Sequence, residues 1–389
     1  MTYIEQLLNG ENVEWKKLGE VCLVQRGASP RPIKKYLTDD LDAIPWIKIG
    51  DTKPGEKYIL SSKEFITKEG ADKSRILQKG DFIMSNSMSY GRPYILGIKG
   101  AVHDGWAIMT NINKKILPDF LYYYLSTNHV QHYWDIKING STMKNLNSDI
   151  IKSLPIPLPP LSVQHKIVEI LDKFTELEAE LEAELDCRKR QYEYYRNQLL
   201  SFDMLNRGGQ KLNGVKVMAL GDVAEIRRGR RLVRNELSQT DRYAVYQNSM
   251  TPLGFYYKSN VSGDTTFIIS AGSAGEIGYS NVDFWAADDI YYFCPTTDVY
   301  SKYIYYFLLT KQQTIKSKVR RASVPRLSKI SFANIPIPLP PLSVQREIVE
   351  ILDKFDTLCN SISEGLPKEI ELRRKQYEYY RNQLLTFAQ

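Results

Sequence analysis

The string QYEYYRNQLL occurs twice in this 389-residue chain, from Gln191 to Leu200 and from Gln376 to Leu385. Ten identical residues at two places mark an internal repeat, and a repeat limits the architecture before any single element is assigned. The decapeptide closes a longer duplicated block: LPIPLPPLSVQHKIVEILDKFTEL from Leu154 matches IPIPLPPLSVQREIVEILDKFDTL from Ile335. The block begins at an offset of 181 residues and ends at 185, so the second copy holds four additional residues between Leu358 and Gln376. Upstream the echo is fainter. WKKLGEVCLVQRG (Trp15 to Gly27) aligns with VMALGDVAEIRRG (Val217 to Gly229), DFLYYYL from Asp119 with KYIYYFL from Lys302, and Leu146 with Leu327. The order is variable module (1–154), constant block (155–206), variable module (207–334), constant block (335–389).

Each constant block has the pattern of a long helix. In the first copy Ile167, Ile170, Phe174, Leu177, Leu181 and Leu185, then Tyr192, Tyr195, Leu199 and Phe202, recur every three or four residues with charges on the other face. The second copy repeats the stripe at Ile348, Ile351, Phe355, Leu358 and Ile362, then Tyr377, Tyr380, Leu384 and Phe387. Two such stripes can cover each other. The preceding LPIPLPPL cannot be helical, because each proline disfavours helical geometry in the residue before it. The chain is therefore expected to run extended and start its helices near Ser162 and Ser343, a structural lead-in rather than a proline-rich ligand. Gly365-Leu366-Pro367 interrupts the second helix, with Pro367 placed to restart it and a kink expected there.

No apolar run approaches the roughly 18 residues that span a bilayer, and the N-terminal MTYIEQLLNGENVEWKKL lacks the pattern of a secretion signal. A soluble, cytoplasmic protein without membrane contact is expected. Cys22, Cys187, Cys294 and Cys359 are widely separated and form no CxxC, which points to free thiols. The net charge of +7 permits a polyanionic partner, but its distribution says more.

The variable modules mix short β-rich runs (PWIKIG, DFIMS, TTFIIS, DIYYF) with aromatic helical stretches and glycine-rich loops, an α+β pattern. Cations concentrate in them. Arg26, Arg31, Lys34 and Lys35 follow the opening strand of the first module, as Arg227, Arg228, Arg230, Arg231 and Arg234 follow that of the second. No carboxylate stands between Val299 and Arg346, a stretch holding Lys318, Arg320, Arg321 and Arg326. The loop SNSMSYGRP (Ser85 to Pro93) aligns with SAGSAGEIG (Ser270 to Gly278), and GSTMKNL from Gly140 with RASVPRL from Arg321. Positions are shared and identities are not, as expected of two readers of different sequences on one scaffold. Polar side chains among these cations suit phosphate contact combined with base-edge hydrogen bonding. The DNA-binding candidates are completed by Ser85, Asn86, Ser87, Tyr90, Arg92, Thr142, Lys144 and Asn145 in the first module, and by Gln247, Asn248, Ser273 and Ser323 in the second.

Catalytic signatures fail residue by residue. Both double prolines stand as LPPL, without the polar and aromatic residues of an adenine methyltransferase (D/N/S/H)PP(Y/F/W) loop. GSAGEIG (Gly272 to Gly278) has neither GxGxxG nor GxxxxGK(S/T) spacing, and GDTKPGEK (Gly50 to Lys57) carries Glu56 where a phosphate loop needs lysine. A metal-dependent nuclease is the sharpest alternative, since Pro118-Asp119 precedes Asp135-Ile136-Lys137. Yet FLYYYLSTNHVQHYW between them has a helical pattern, and the duplicate carries Lys302 and Lys318 at the acidic positions. His129 and His132 have no nearby third ligand for zinc.

The doubled PLPPLSVQ…QYEYYR block, with a variable module before each copy, resembles the DNA specificity subunit of Type I restriction–modification systems along essentially the whole chain. The resemblance implies two globular target recognition domains in a pseudo-two-fold arrangement, separated by two long helices packed as an antiparallel coiled coil. It implies that each domain reads one half of a split double-stranded DNA target. It also implies that the chain docks two methyltransferase (modification) subunits and restriction subunits without an active site or cofactor of its own. S-adenosylmethionine, ATP and Mg are then the partners' cofactors. Identical helix ends present identical surfaces, so Tyr192, Tyr194, Tyr195 and Arg196, with Tyr377, Tyr379, Tyr380 and Arg381, are the docking candidates. For Tyr192, Tyr195, Tyr377 and Tyr380 the alternative is the core of the helix pair, whereas Tyr194 and Tyr379 lie off the stripe. A coiled-coil adaptor that binds no DNA is the competing function, and it leaves the basic runs unexplained.

Overall fold

Prolines that cannot enter a helix can still lie in a short strand, and the LPIPL segments do so. A computed structural model describes residues 3–40, 42–53, 55–86, 90–139, 145–207, 215–240 and 242–387. In it β1 (Glu14–Lys17) pairs antiparallel with the strand Pro155–Leu158, and the strand Lys216–Ala219 pairs in the same way with Pro336–Leu339. Ile156 and Ile337, at the middle of the proline strands, are fully buried. The lead-in to each helix is thereby stitched to the start of its own variable module.

The chain divides into two compact units, Met1–Glu180 with Ile370–Gln389, and Leu181–Glu369. The first is built on a five-stranded sheet. Its strands are β2 (Leu23–Arg26), β3 (Tyr58–Ile59), β4 (Phe82–Ser85), β5 (Pro93–Leu96) and β6 (Trp106–Thr110), in the order β2-β6-β4-β5-β3. A second, four-stranded sheet holds Ile44–Ile47 parallel to Gly100–Val102. Helices α1 (Pro118–Leu125) and α2 (Asn128–Asn139) bury Phe120, Tyr123 and Trp134 against the first sheet. The second unit repeats the plan. Its four-stranded sheet orders β7 (Ala224–Arg228), β8 (Thr265–Ile269), β9 (Ile277–Ser280) and β10 (Ile290–Pro295) as β7-β10-β8-β9, equivalent to β2-β6-β4-β5. A three-stranded sheet again contains a parallel pair, Tyr243–Tyr246 with Trp285–Ala286. All four cysteines are free, and no helix among the described residues is long and apolar enough to cross a membrane.

The constant blocks form α3 (Leu161–Leu199, 39 residues) and the pair α4 (Leu342–Asn360) and α5 (Leu366–Leu384). Within the first unit Phe174 of α3 stacks on Tyr380 of α5 at 5.5 Å, and Glu178 meets Arg374. Moving forward along α3 moves backward along α5, so the pair is antiparallel. In the second unit Phe355 of α4 packs on Tyr192 at 6.2 Å and on Tyr195 at 5.6 Å, both on α3. Each unit therefore joins the start of one block to the end of the other, which is why both copies keep the same phenylalanine and the same tyrosines.

The helices begin at Leu161 and Leu342, beside Ser162 and Ser343 as expected, where the Pro160 and Pro341 carbonyls accept from Val163 and Gln164, and from Val344 and Gln345. Two other expectations are corrected. The second helix is broken rather than kinked: residues 361–365 are non-helical, and Gly365 turns the chain at φ +84°. A Cβ there would lie 2.4 Å from the Thr357 carbonyl oxygen, so only glycine fits. The apolar stripe is interrupted too. Leu177 is 47% exposed, Ile362 84%, and Phe202 starts a separate short helix with its ring half in solvent, while Val349 and Leu352 carry the α4 core instead of Ile351.

Candidate nucleic-acid interface

Arginine followed by glycine ends the opening strand of both units, and the pair has one geometry. Arg26 Nε donates to the Asp104 carbonyl at 2.8 Å, and Arg228 Nε donates to the Asp288 carbonyl at 2.7 Å. Behind each arginine the next residue has no room for a side chain. A Cβ on Gly27 would lie 2.2 Å from the His103 oxygen, and one on Gly229 2.2 Å from the Ala287 oxygen. Gly27 N–H donates to Trp106 and Gly229 N–H to Ile290, closing the same turn.

The glycine-rich loops attach to that turn. Asn86 N–H donates to the Gly105 carbonyl and Ser270 N–H to the Asp289 carbonyl, while Leu146 N–H and Leu327 N–H donate back to the Asn86 and Ser270 carbonyls. Gly91 N–H bonds the Ser85 carbonyl as Gly275 N–H bonds that of Ile269. Asn86 is thus the structural counterpart of Ser270, and the sequence alignment that set Ser85 opposite Ser270 is shifted by one residue. The cause is a position in the turn that side-chain identity does not reveal: backbone bonds, not residue types, are what the two loops share.

In the first unit Asp104 gathers the candidates. Its carboxylate accepts from Ser29 Oγ at 2.9 Å and Arg31 Nη2 at 3.3 Å, with His103 Nε2 at 3.2 Å, and Asn86 Nδ2 donates to its carbonyl at 3.3 Å. Partial burial pushes the Asp104 carboxyl up, but Ser29, His103, Arg26 and Arg31 together hold it below the usual carboxylate range. Lys34 and Lys35 lie in a single 3-10 turn, Ile33–Lys35, after this cluster. Arg92 and Asn145 are exposed, Ser85 is buried, and Tyr90 donates to Asp135 Oδ1 at 2.8 Å. Ser87, Thr142 and Lys144 lie outside the described residues.

The second unit hangs a cationic hairpin on the same frame. Arg320 and Arg326 exchange two backbone hydrogen bonds of 2.9 and 3.1 Å, so residues 321–325 form its tip, with Arg321 and Ser323 exposed. Gly272 N–H donates to the Pro325 carbonyl and Ser273 N–H to that of Asn248, linking this hairpin to the loop beside Gln247. Arg230 and Arg231 are exposed after the opening strand, and Arg234 sits in a 3-10 turn. Two candidates are otherwise engaged: Arg227 pairs with Glu225 at 2.6 Å, and Lys318 Nζ donates to the Ser331 carbonyl at 3.0 Å.

The tyrosines of the duplicated decapeptide separate by exposure. Tyr194 is 60% exposed and Tyr379 61%, while Tyr192 is 5% exposed and Tyr377 packs against the first core. Tyr192 and Tyr377 are therefore core residues, which corrects their expected place at the docking surface. Arg196 and Arg381 lie over the rings of Tyr192 and Tyr377 at 5.2 and 5.3 Å, and Tyr195 and Tyr380 each show one face to solvent.

Residues missed in the sequence lie where the modules meet their helices. The buried Gln164 accepts from Leu117 N–H at 2.8 Å and donates to the Lys115 and Pro159 carbonyls; Gln345 accepts from Tyr300 N–H at 2.9 Å and donates to Asp298 and Pro340. A glutamine identical in both copies inside an apolar stretch was the available signal. Asp172 and Asp353 are the second such pair. Tyr123 donates to Asp172, and Tyr306 to Asp353 at 2.5 Å. Burial and the adjoining carboxylates push both phenols well above their usual range. Asp119 and Asp135, the acids of the nuclease alternative, are held by Lys57 and Tyr58 and by Tyr90 and Gln131, respectively.

The family model described as "Type I restriction modification DNA specificity domain" matches residues 10–186 and 213–372. The EcoR124I/EcoR124II Type I restriction enzyme specificity subunit of Escherichia coli is 31% identical over 417 residues, covering 100% of this chain and 97% of that one. The MpnII specificity subunit of Mycoplasma pneumoniae is 30% identical over 318 residues, covering 64% of this chain and 94% of its own. Among solved structures, an S subunit of a Type-I restriction-modification system from M. genitalium aligns with a TM-score of 0.57 at 20% identity, covering 100% of both chains. A chain from a structure of type I R-M complex assembly aligns with a TM-score of 0.69 at 16% identity, covering 96% of this chain and 98% of that one.

Proposed function

Because the chain belongs to the Type I restriction modification DNA specificity family, we propose that its two units each read one half of a bipartite duplex target. The observation that carries this reading is the shared frame. Both units hang an arginine turn and two loops on equivalent backbone hydrogen bonds, yet present different side chains from them. One scaffold with two sets of loop residues suits two different half-sites. Cations at the loop tips supply phosphate contact, and Asn145, Asn248, Ser273 and Ser323 supply hydrogen-bonding groups for bases.

The chain itself contributes recognition and assembly rather than chemistry. Two methyltransferase subunits dock on the exposed faces of Tyr194 and Tyr195 and of Tyr379 and Tyr380, and restriction subunits join that assembly. S-adenosylmethionine, ATP and Mg are bound by those partners. Among the described residues no group of three His, Cys, Asp or Glu stands where it could hold a metal ion.

Binding of the purified chain to duplex DNA tests the reading. Affinity should fall steeply with salt as counterions are released from several phosphates, and S-adenosylmethionine alone should yield no methyl transfer. Replacing residues 217–334 by the corresponding region of a relative should change one half of the methylated site. Salt-independent or absent binding would favour the coiled-coil adaptor, and methylation by the single chain would overturn the non-catalytic assignment.

A further inference from the structure

Each unit ties its variable module to its helix at two places along that helix. The first is the glutamine clamp at Gln164 or Gln345. Eight residues further on, about 12 Å along the helix, Asp172 or Asp353 makes the second tie. Apolar packing between the two is non-directional, whereas these polar ties are directional.

The second tie is built differently in the two units. In the second unit the cation facing Asp353 is Lys302, from the second position of the helix Ser301–Ser317, at 2.8 Å, with Tyr306 one turn further along. In the first unit that helical position is Asp119, one turn before Tyr123. The cation comes instead from Lys57, beside the edge strand β3, with Nζ 2.6 Å from Asp119 and 3.0 Å from Asp172. Its ammonium also lies 4.7 Å from the Tyr123 ring centre and is largely buried. The aspartate and the tyrosine are the same in both units, whereas the cation has changed place.

We propose that Asp172 and Asp353 are positioning residues that fix the tilt of each recognition domain on its helix. Each requires one module-supplied cation, Lys57 in the first unit and Lys302 in the second. This rests on the bipartite reading above. Without the cation, Asp119 and Asp172 repel each other, Tyr123 alone holds the tie, and the module can tilt about the glutamine clamp. A tilt of about 10° across a domain of about 30 Å moves its far side by about 5 Å, more than the roughly 3.4 Å rise of one base pair. Loss of the tie should therefore blur the length of DNA spanned between the half-sites while leaving their bases unchanged. A module exchanged between subunits must bring its own cation for the same reason.

Mapping methylated adenines in cells that carry the assembled complex tests this. Wild type should methylate sites of a single spacer length. Lys57→Met should add sites one base pair longer or shorter, at a tenth or more of the native frequency, with the half-site bases unchanged. Lys57→Met/Asp119→Lys moves the cation to the position of Lys302 and should restore the single spacer. A uniform loss of methylation at an unchanged spacer, or a double variant that behaves like Lys57→Met, overturns the proposal. If Lys57→Met does not accumulate, recovery of a folded, single-spacer complex by the added Asp119→Lys supports it, and no recovery overturns it. A wild type that methylates no two-part site shows instead that the bipartite reading has failed.

Discussion

The side chain of Gln345 accepts a hydrogen bond from the backbone N–H of Tyr300 at 2.9 Å, and Gln164 makes the same bond to Leu117 at 2.8 Å. Each accepted group opens the aromatic helix of its unit, and each glutamine is fully buried. Gln345→Leu would leave the Tyr300 N–H and the Asp298 and Pro340 carbonyls without that partner, a loss of roughly 2–4 kcal/mol. Denaturant unfolding should show the second unit destabilised and the first unchanged, and Gln164→Leu should do the reverse. Equal melting of both units in either variant would contradict the local assignment.

At Gly229 a methyl group would meet the Ala287 and Ala286 oxygens at 2.2 and 2.3 Å, and at Gly27 the His103 oxygen at 2.2 Å. These are backbone atoms within the turn and cannot swing aside. Gly229→Ala should displace the Arg228 turn at a cost of about 1–3 kcal/mol and weaken recognition of one half-site only. Competition binding with targets altered in either half measures this, and equal loss at both halves would count against it.

Tyr194 and Tyr379 project from helices whose cores are formed by other residues. Substituting either with alanine should change stability by no more than about 0.5 kcal/mol. Assembly should suffer far more, with one methyltransferase subunit retained in either single variant and neither in the double variant. Size-exclusion chromatography with light scattering counts the subunits, and full assembly of the double variant would remove these residues from the interface.

Between Leu171 and Tyr192 no residue of α3 is buried, and LEAELEAE (Leu177 to Glu184) occupies the middle of that interval. Inserting one further LEAE after Glu180 adds about 6 Å of helix and overshoots a full turn by about 40°. The methylated sites should then gain one or two base pairs of spacer and keep both half-site sequences. A two-residue insertion rotates the C-terminal half of the helix by about 200°, carries Tyr192 out of its core, and should abolish the active complex. An unchanged spacer after the four-residue insertion would show that this helix does not measure the site.

The duplication, the long helices, an interruption of the second one near Gly365 and the α+β character of the modules were legible in the chain, because repeat identity and 3.6-residue periodicity are local patterns, whereas the full break after Asn360 was not. Which tyrosines were core was less legible: the stripe contains both Tyr192 and Tyr195, and burial depended on where Phe355 of the other block came to rest. The one-residue shift between Asn86 and Ser270 was invisible for a related reason, since those loops are matched by backbone bonds that carry no side-chain signature. The pairing of Lys57 with Asp172 lay furthest from view. The aspartate is written identically in both copies, but its cation comes from a different element in each unit, and a contact across 115 residues exists only once the sheet and the helix are folded against each other.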